Sequence, residues 1–202
     1  MAHRIVLASN NAGKAREIAE LLPETAAPLE TQSAHDVPEA EETGTTFVEN
    51  AIIKARNACR HTGLPAIADD SGIEVDALGG APGVRSARFA GEQGDDDANN
   101  RLLVERLADV PAPERTARYY CVMVYMAHAE DPTPIIAEGS WEGWIQDQPR
   151  GNNGFGYDPY FRVRGHEATA AELDPATKNQ ASHRGQAMRR LAVELADDQE
   201  RG

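Results

Sequence analysis

Residues 64–72 read LPAIADDSG, an apolar run that stops on two adjacent carboxylates, a hydroxyl and a glycine. An apolar stretch bounded by Pro65 and Gly72 has the length and punctuation of a buried strand. Asp69 and Asp70 are then expected at its carboxyl end, where open α/β sheets place their ligands. A second short strand is expected over 72–77. Successive strand residues face opposite ways, so the two acids are expected to do different work. Acids in such a place hold a hard cation, activate water, or both; the same residues also suit a solvated turn closing a strand.

Strand and helix signals alternate along the rest of the chain. Residues 4–8 read as a strand, and 14–22 as an amphipathic helix stopped by Pro23. Residues 46–61 form a longer helix, with Thr45 or Thr46 as N-cap, Glu49 in its first turn and Gly63 beyond its end. Residues 95–107 are helical, with acids at the start and apolar spacing through Leu102, Leu103 and Leu107. Long strands over 116–128 and 135–145 are joined by a turn at Asp131-Pro132-Thr133-Pro134, and 183–195 is a closing helix. This order predicts a mixed α/β fold: two-lobed, with a central mixed sheet flanked by helices and a long β-hairpin extension. A cleft between the lobes would be the usual place for a ligand.

Composition narrows the class. The 202 residues are 41% hydrophobic and 26% charged, the balance of a globular chain. No apolar run approaches the roughly 20 residues that span a bilayer. The opening MAHRIVLASN lacks a long apolar stretch and a small-residue cleavage site, so no signal peptide is expected. The two cysteines, Cys59 and Cys121, fit a reducing cytosol better than a disulfide framework, and their spacing binds no metal. A net charge of −13 argues against a partner that is nucleic acid or a membrane surface. It leaves room for a small polyanion in a locally positive cleft. The Asp95-Asp96-Asp97 run reads as solvated or helix-start charge.

Four segments carry chemistry. Ser9-Asn10-Asn11-Ala12-Gly13-Lys14 follows the first strand and leads into a helix, presenting free N–H groups and one lysine to an anion. It lacks the GxxxxGK[ST] glycine spacing of a P-loop and also reads as an ordinary Asn-capped turn. Glu41-Glu42-Thr43-Gly44 precedes the helix carrying Glu49, Asn50 and Lys54; acids there commonly only complement the helix dipole, and Lys54 alone reads as a surface lysine. In Gly154-Phe155-Gly156-Tyr157-Asp158-Pro159, flanking glycines either expose Phe155 for stacking on a base or build a turn anchored by Phe155 and Tyr157. Lys178 precedes Ser182-His183-Arg184-Gly185, where Ser182 suits an N-cap and His183 and Arg184 a positive helix end.

Taken together, the chain resembles the inosine triphosphate pyrophosphatase family, the Ham1-like non-canonical purine nucleotide pyrophosphatases. The likeness runs through SNNAGK, FVENAIIKA, ADDSGIEVDALGGAPGV, GSWEG, GFGYDPYF and SHRGQAM, nearly the whole chain. It implies one pyrophosphatase domain over residues 1–202 that converts ITP, dITP or XTP and water to the monophosphate and pyrophosphate, cleansing the nucleotide pool. Carried over by the resemblance, Ser9, Asn10, Asn11, Ala12, Gly13 and Lys14 hold the triphosphate with Lys54 assisting. Glu41 and Asp70 are implied Mg²⁺ ligands, Asp70 is also the proton acceptor for the attacking water, and Ser71 contacts substrate. Phe155, Gly156, Tyr157, Asp158, Lys178, His183 and Arg184 line the base pocket, while Asp69 is left as support.

The same resemblance implies a cytoplasmic homodimer. Departures from the family pattern are Asn10 where glycine is common, Tyr160 where an aliphatic residue follows YDP, and the polar pair Asn152-Asn153. Two rivals stand beside this reading: a Maf-like pyrophosphatase with another base preference, and a non-catalytic nucleotide sensor.

Overall fold

The computed structural model describes residues 4–21, 28–92 and 94–201. Six strands form one sheet: β1 (Ile5–Leu7), β2 (Leu29–Thr31), β3 (Ala66–Val75), β4 (Thr116–Met126), β5 (Ile135–Ile145) and β6 (Phe161–Val163). Their order is β2-β1-β3-β4-β5-β6. β1 runs parallel to β2 and β3, and β6 pairs antiparallel with β5, so the sheet is mixed as expected. The helices are α1 (Ala12–Leu21), α2 (Phe47–Thr62), α3 (Asp96–Arg106), α4 (Pro175–Ala181) and α5 (His183–Arg201). The expected helix end at Leu22 and Pro23 lies outside the described residues. No helix among the described residues is long and apolar enough to cross a membrane.

The helix ends follow their local chemistry. Thr46 caps α2 and forms a reciprocal box with Glu49, and Gly63 closes it in the left-handed conformation with its N–H on the Cys59 carbonyl. Asp95 caps α3 by accepting from the Ala98 N–H at 2.9 Å. Asn11 does the same for α1, accepting from the Lys14 N–H at 3.0 Å. α4, which the sequence signals missed, is closed by Ser182 in an extended conformation directly before the expected α5.

The chain folds as two compact units. Unit 1 comprises residues 1–70, 121–139 and 184–202; unit 2 comprises 71–120 and 140–183. The divisions fall inside β3, β4 and β5. In unit 1, Leu7 and Ile67 of the sheet pack with Ile18 of α1 and with Ala187, Met188 and Leu191 of α5. In unit 2, Tyr119, Trp141 and Phe161 centre a core that also takes in Ile73, Leu103, Leu107 and Tyr157. The Tyr119 and Phe161 rings lie 4.7 Å apart and tilted by 59°, a favourable aromatic geometry.

One expectation is overturned. β3 does not stop at Asp70 with a second strand after Gly72; it runs unbroken from Ala66 to Val75. Asp69 and Asp70 therefore stand mid-strand, 1% and 6% exposed, and the solvated-turn alternative is excluded. β1 still places the acids where open α/β sheets bind ligands. It pairs with β3 only as far as Leu7 opposite Ile67, and beyond that point its chain has left the sheet. The acids sit past the carboxyl end of β1, not of β3.

Gly143 marks where β5 admits no side chain. A Cβ there would lie 2.3 Å from the Arg162 carbonyl oxygen and 2.6 Å from the Phe161 ring. Gly143→Ala is expected to lower stability by about 1–3 kcal/mol through overpacking against β6. A denaturant midpoint unchanged from wild type would refute that contact.

Candidate active site

The two acids of β3 point to opposite faces and meet different partners. Asp69 shares the face of Ile67. Lys14 Nζ of α1 lies 3.0 Å from its Oδ2, and Arg184 Nε at the start of α5 lies 3.7 Å from the same oxygen. Arg184 also donates to Glu17 Oε2. Burial alone would push the Asp69 carboxyl up, but Lys14, Arg184 and Lys54 outweigh it and hold it far below the usual range. Asp69 is a fixed negative charge.

Asp70 faces α2. Lys54 Nζ donates to its Oδ1 at 2.7 Å, and Asn50 Nδ2 reaches its Oδ2 at 3.4 Å. Here burial wins over the attraction of Lys54 and Lys14, and the carboxyl sits above its ordinary value. Two neighbouring carboxyls with pKa values driven apart are the usual mark of divided roles. Lys54 is not a surface lysine: it bridges Asp70 and Glu42, whose Oε1 lies 2.8 Å from its Nζ. Burial opposes its charge, yet Asp70, Asp69 and Glu42 together keep it protonated.

The loop before α2 is held by the same residues. Asn50, fully buried, accepts the Gly44 N–H on its Oδ1 at 2.8 Å. A Cβ at Gly44 would lie 2.7 Å from that oxygen, so the close approach requires glycine. Of the two loop acids, Glu42 joins Lys54, whereas the expected ligand Glu41 is exposed and lines a surface hollow with Ile53, Arg56 and Arg60. Two adjacent acids in a loop carry no periodicity by which sequence could choose between them. Asn50 and Glu42 are the site residues that received no role from the sequence. Asn50 is one helical turn before Lys54, a spacing that places the two on one face.

The residue-9-to-14 loop leads into the amino end of α1, where unpaired N–H groups favour an anion. Ser9 Oγ accepts from the Asn11 N–H at 3.3 Å, and Asn10 Oδ1 accepts from buried Gln32 Nε2 at 2.7 Å. Asn10 replaces the common glycine without backbone strain, because Asp36 is the only non-glycine at positive φ among the described residues. Ser71 follows Asp70 in β3 and is half-buried.

Unit 2 holds the other expected residues around Asp158. Its Oδ1 accepts from Tyr119 Oη at 3.0 Å, and its Oδ2 accepts from Lys178 Nζ at 2.7 Å and the Phe155 N–H at 3.0 Å. Lys178 Nζ also lies 5.3 Å from the Phe155 ring centre, within cation–π range. The His183 ring stacks on Tyr119 at 4.7 Å and 8°. Gly154 has φ +77°, and a Cβ there would meet Asp158 Oδ2 at 2.0 Å. Tyr157 is a core anchor: it is buried and its hydroxyl donates to the Ser86 carbonyl at 2.8 Å. Arg184, grouped with Lys178 and His183 by sequence, belongs instead to unit 1 with Glu17 and Asp69. The chain has only three lysines, Lys14, Lys54 and Lys178, and each sits in one of these clusters.

Residues 5–194 match the Ham1 family. The chain belongs to the Ham1 family. Among its relatives in this family, a protein of Thioalkalivibrio sulfidiphilus named dITP/XTP pyrophosphatase is 62% identical over 95% of this chain and 98% of its own length. One of the same name from Vibrio cholerae is 56% identical over 93% of this chain and 94% of its own. The solved Ham1 protein of Coxiella burnetii superposes with a TM-score of 0.89 at 50% identity, covering 96% of this chain and 99% of that one. A dITP/XTP pyrophosphatase from Mycobacterium abscessus gives 0.74 at 45% identity, covering 95% and 98%. The motif-based resemblance and the mixed α/β fold are both borne out.

Asp69→Asn takes the carboxylate from half-buried Lys14 and leaves buried Arg184 with Glu17 alone, which is expected to cost about 3–5 kcal/mol at neutral pH. The sign of the pH effect follows from the depressed carboxyl. Its contribution is complete above the unfolded value of 3.8 and is lost as pH falls below it. Denaturant unfolding in a chelator at several pH values checks both points: the gap between wild type and variant should shrink below about pH 4, and a gap independent of pH would refute the assignment.

Proposed function

We propose that the chain hydrolyses nucleoside triphosphates of deaminated purines (ITP, dITP and XTP) to the monophosphate and pyrophosphate, as one domain over residues 1–202. The names carried by its relatives support the substrate class. The observation within the fold that carries the chemistry is Asp70: a buried carboxyl of raised pKa, held by Lys54 and Asn50 past the end of β1. Poised nearer neutrality than an ordinary aspartate, it is suited to take a proton from water attacking phosphorus. Lys14, Lys54 and the amino end of α1, preceded by Ser9, Asn10 and Asn11, bind and neutralise the phosphates. Ala12 and Gly13 contribute backbone N–H groups there, and Ser71 is assigned a substrate contact beside Asp70.

A Mg²⁺ ion fits the donor set. Asp70 and Glu42 offer hard oxygen ligands on one shared lysine, Glu42 taking the place expected of Glu41. Mg²⁺ is commonly held by one or two carboxylates, with phosphate and water completing its shell. When bound, it supplies charge neutralisation at the transferring phosphorus. Lys54, between the two acids, keeps them from repelling one another before the ion arrives.

We assign the base to Phe155, Gly156, Tyr157, Asp158, Lys178 and His183. Phe155 offers a ring face for stacking. Lys178, a donor-only side chain that also binds Asp158, is assigned to the 6-oxo acceptor of inosine or xanthine. Adenine presents a 6-amino donor instead, and donor facing donor discriminates by ~10⁴ or more when buried. Arg184, committed to Glu17 and Asp69, is assigned the upkeep of the Asp69 charge. A cytoplasmic homodimer belongs to the same reading. The buried free thiols of Cys59 and Cys121, pushed up to about 11 and 12 by burial, suit a reducing compartment.

The reading is tested by incubating the protein with Mg²⁺ and, separately, dITP, ITP, XTP, ATP, GTP and dUTP, and identifying the products. Pyrophosphate from the deaminated purines alone is expected. Preference for dUTP would favour the Maf-like rival, and binding without turnover the sensor. Asp70→Asn should lower turnover by ~10²-fold or more while circular dichroism stays unchanged; full activity in that variant would remove Asp70 from the mechanism.

A further inference from the structure

The acidic run at the start of α3 is not merely solvated charge. Asp95 caps the helix, but Asp96 reaches outward: its Oδ2 accepts the Gly156 N–H at 2.8 Å. One helical turn on, buried Asn100 donates from Nδ2 to the Gly156 carbonyl at 2.9 Å, and to the Asp96 carbonyl of its own helix at 2.9 Å. Both polar groups of a single residue in the GFGYD segment are thus taken by an i, i+4 pair on one helix. Gly156 is the residue there with most conformational freedom, sitting at φ +63° with open space around its missing Cβ. Its neighbours are fixed by other means, Tyr157 through Ser86 and Asp158 through Tyr119 and Lys178. Phe155 lies between Gly154 and Gly156, and the direction of its ring depends on how those two peptides are held.

We propose that Asp96 and Asn100 are positioning residues for base selection: they clamp the Gly156 peptide and so set where the Phe155 ring meets the base. The proposal rests on the assignment of residues 155–158 to the base. Both residues bond to Gly156 and within α3, and the phosphates are assigned to Lys14, Lys54 and the amino end of α1, so the clamp acts on recognition and not on the step at phosphorus. A displacement of about 1 Å in such a contact is enough to cost an order of magnitude or more in recognition.

The test is steady-state kinetics with dITP and dATP on Asp96→Ala, Asn100→Ala and two isosteric variants. The alanine variants should raise KM for dITP ~10-fold and erode the dITP-over-dATP preference by a similar factor, leaving kcat within ~2-fold. Asp96→Asn keeps an acceptor for the Gly156 N–H and should behave almost as wild type. Asn100→Asp turns a donor into an acceptor facing a carbonyl and should be at least as impaired as the alanine. Unchanged KM and preference in the alanine variants, or parallel loss of kcat on every nucleotide, would overturn the proposal. Amide exchange read without substrate separates it from the reading beneath it: the Gly156 N–H should exchange ~10-fold faster in Asp96→Ala than in wild type. Equal exchange overturns the clamp, whereas a wild-type protein that releases no pyrophosphate from dITP overturns the base assignment.

Discussion

Two carboxylates on consecutive residues of a buried strand repel each other and each carries a desolvation cost, so the surrounding fold must supply a separate cation for each. The pleat of β3 solves the geometry by sending Asp69 and Asp70 to opposite faces. Lys14 and Arg184 then answer the first, and Lys54 the second. Those three cations come from α1, α5 and α2, so the placement of each of these helices is tied to the charge of one dipeptide. Removing one member of such a group leaves an uncompensated buried charge, which is worse than never having built the pair. That is why these residues act as a unit.

The same device produces two unlike acids from identical side chains. Asp69 meets more positive charge than burial takes away and stays ionised; Asp70 meets less and rises. Unit 2 uses a variation in which Asp158 gathers a tyrosine, a lysine and a backbone N–H on one carboxylate. There the acid is an organiser of neighbouring groups. Nothing in the side-chain identity distinguishes these three roles; only the partners do.

Much of this was legible in the sequence because it depends on local chemistry. Thr46, Glu49 and Gly63 announce both ends of α2, and Asp95 the start of α3, through backbone groups a few residues away. β5 runs over the residues its alternation predicted. What was not legible depends on partners distant in sequence. Gly72 reads as a stop, yet β3 continues through it beside β4, a partner distant in sequence that local propensity does not reveal. β2 and β6 are three residues each and exist only by pairing with β1 and β5. In the candidate site, motif order pointed to the segments that carry Lys14, Asp70 and Lys178, but not to the contact of Glu42 with Lys54 or of Arg184 with Glu17. Those are decided by the direction of a side chain in a loop and at a helix start, where no period exists to be read.

The scarcity of lysine has a consequence for the chemistry of the molecule's exterior. The fixed cations of this surface are guanidinium groups, which hold their charge at any pH a protein survives. Apart from the chain terminus, every primary amine belongs to Lys14, Lys54 or Lys178, and their side chains are only 17%, 15% and 7% exposed. An amine-directed label or crosslinker therefore meets almost nothing on the outside of this protein, and where it does react slowly, it reports on the interior clusters.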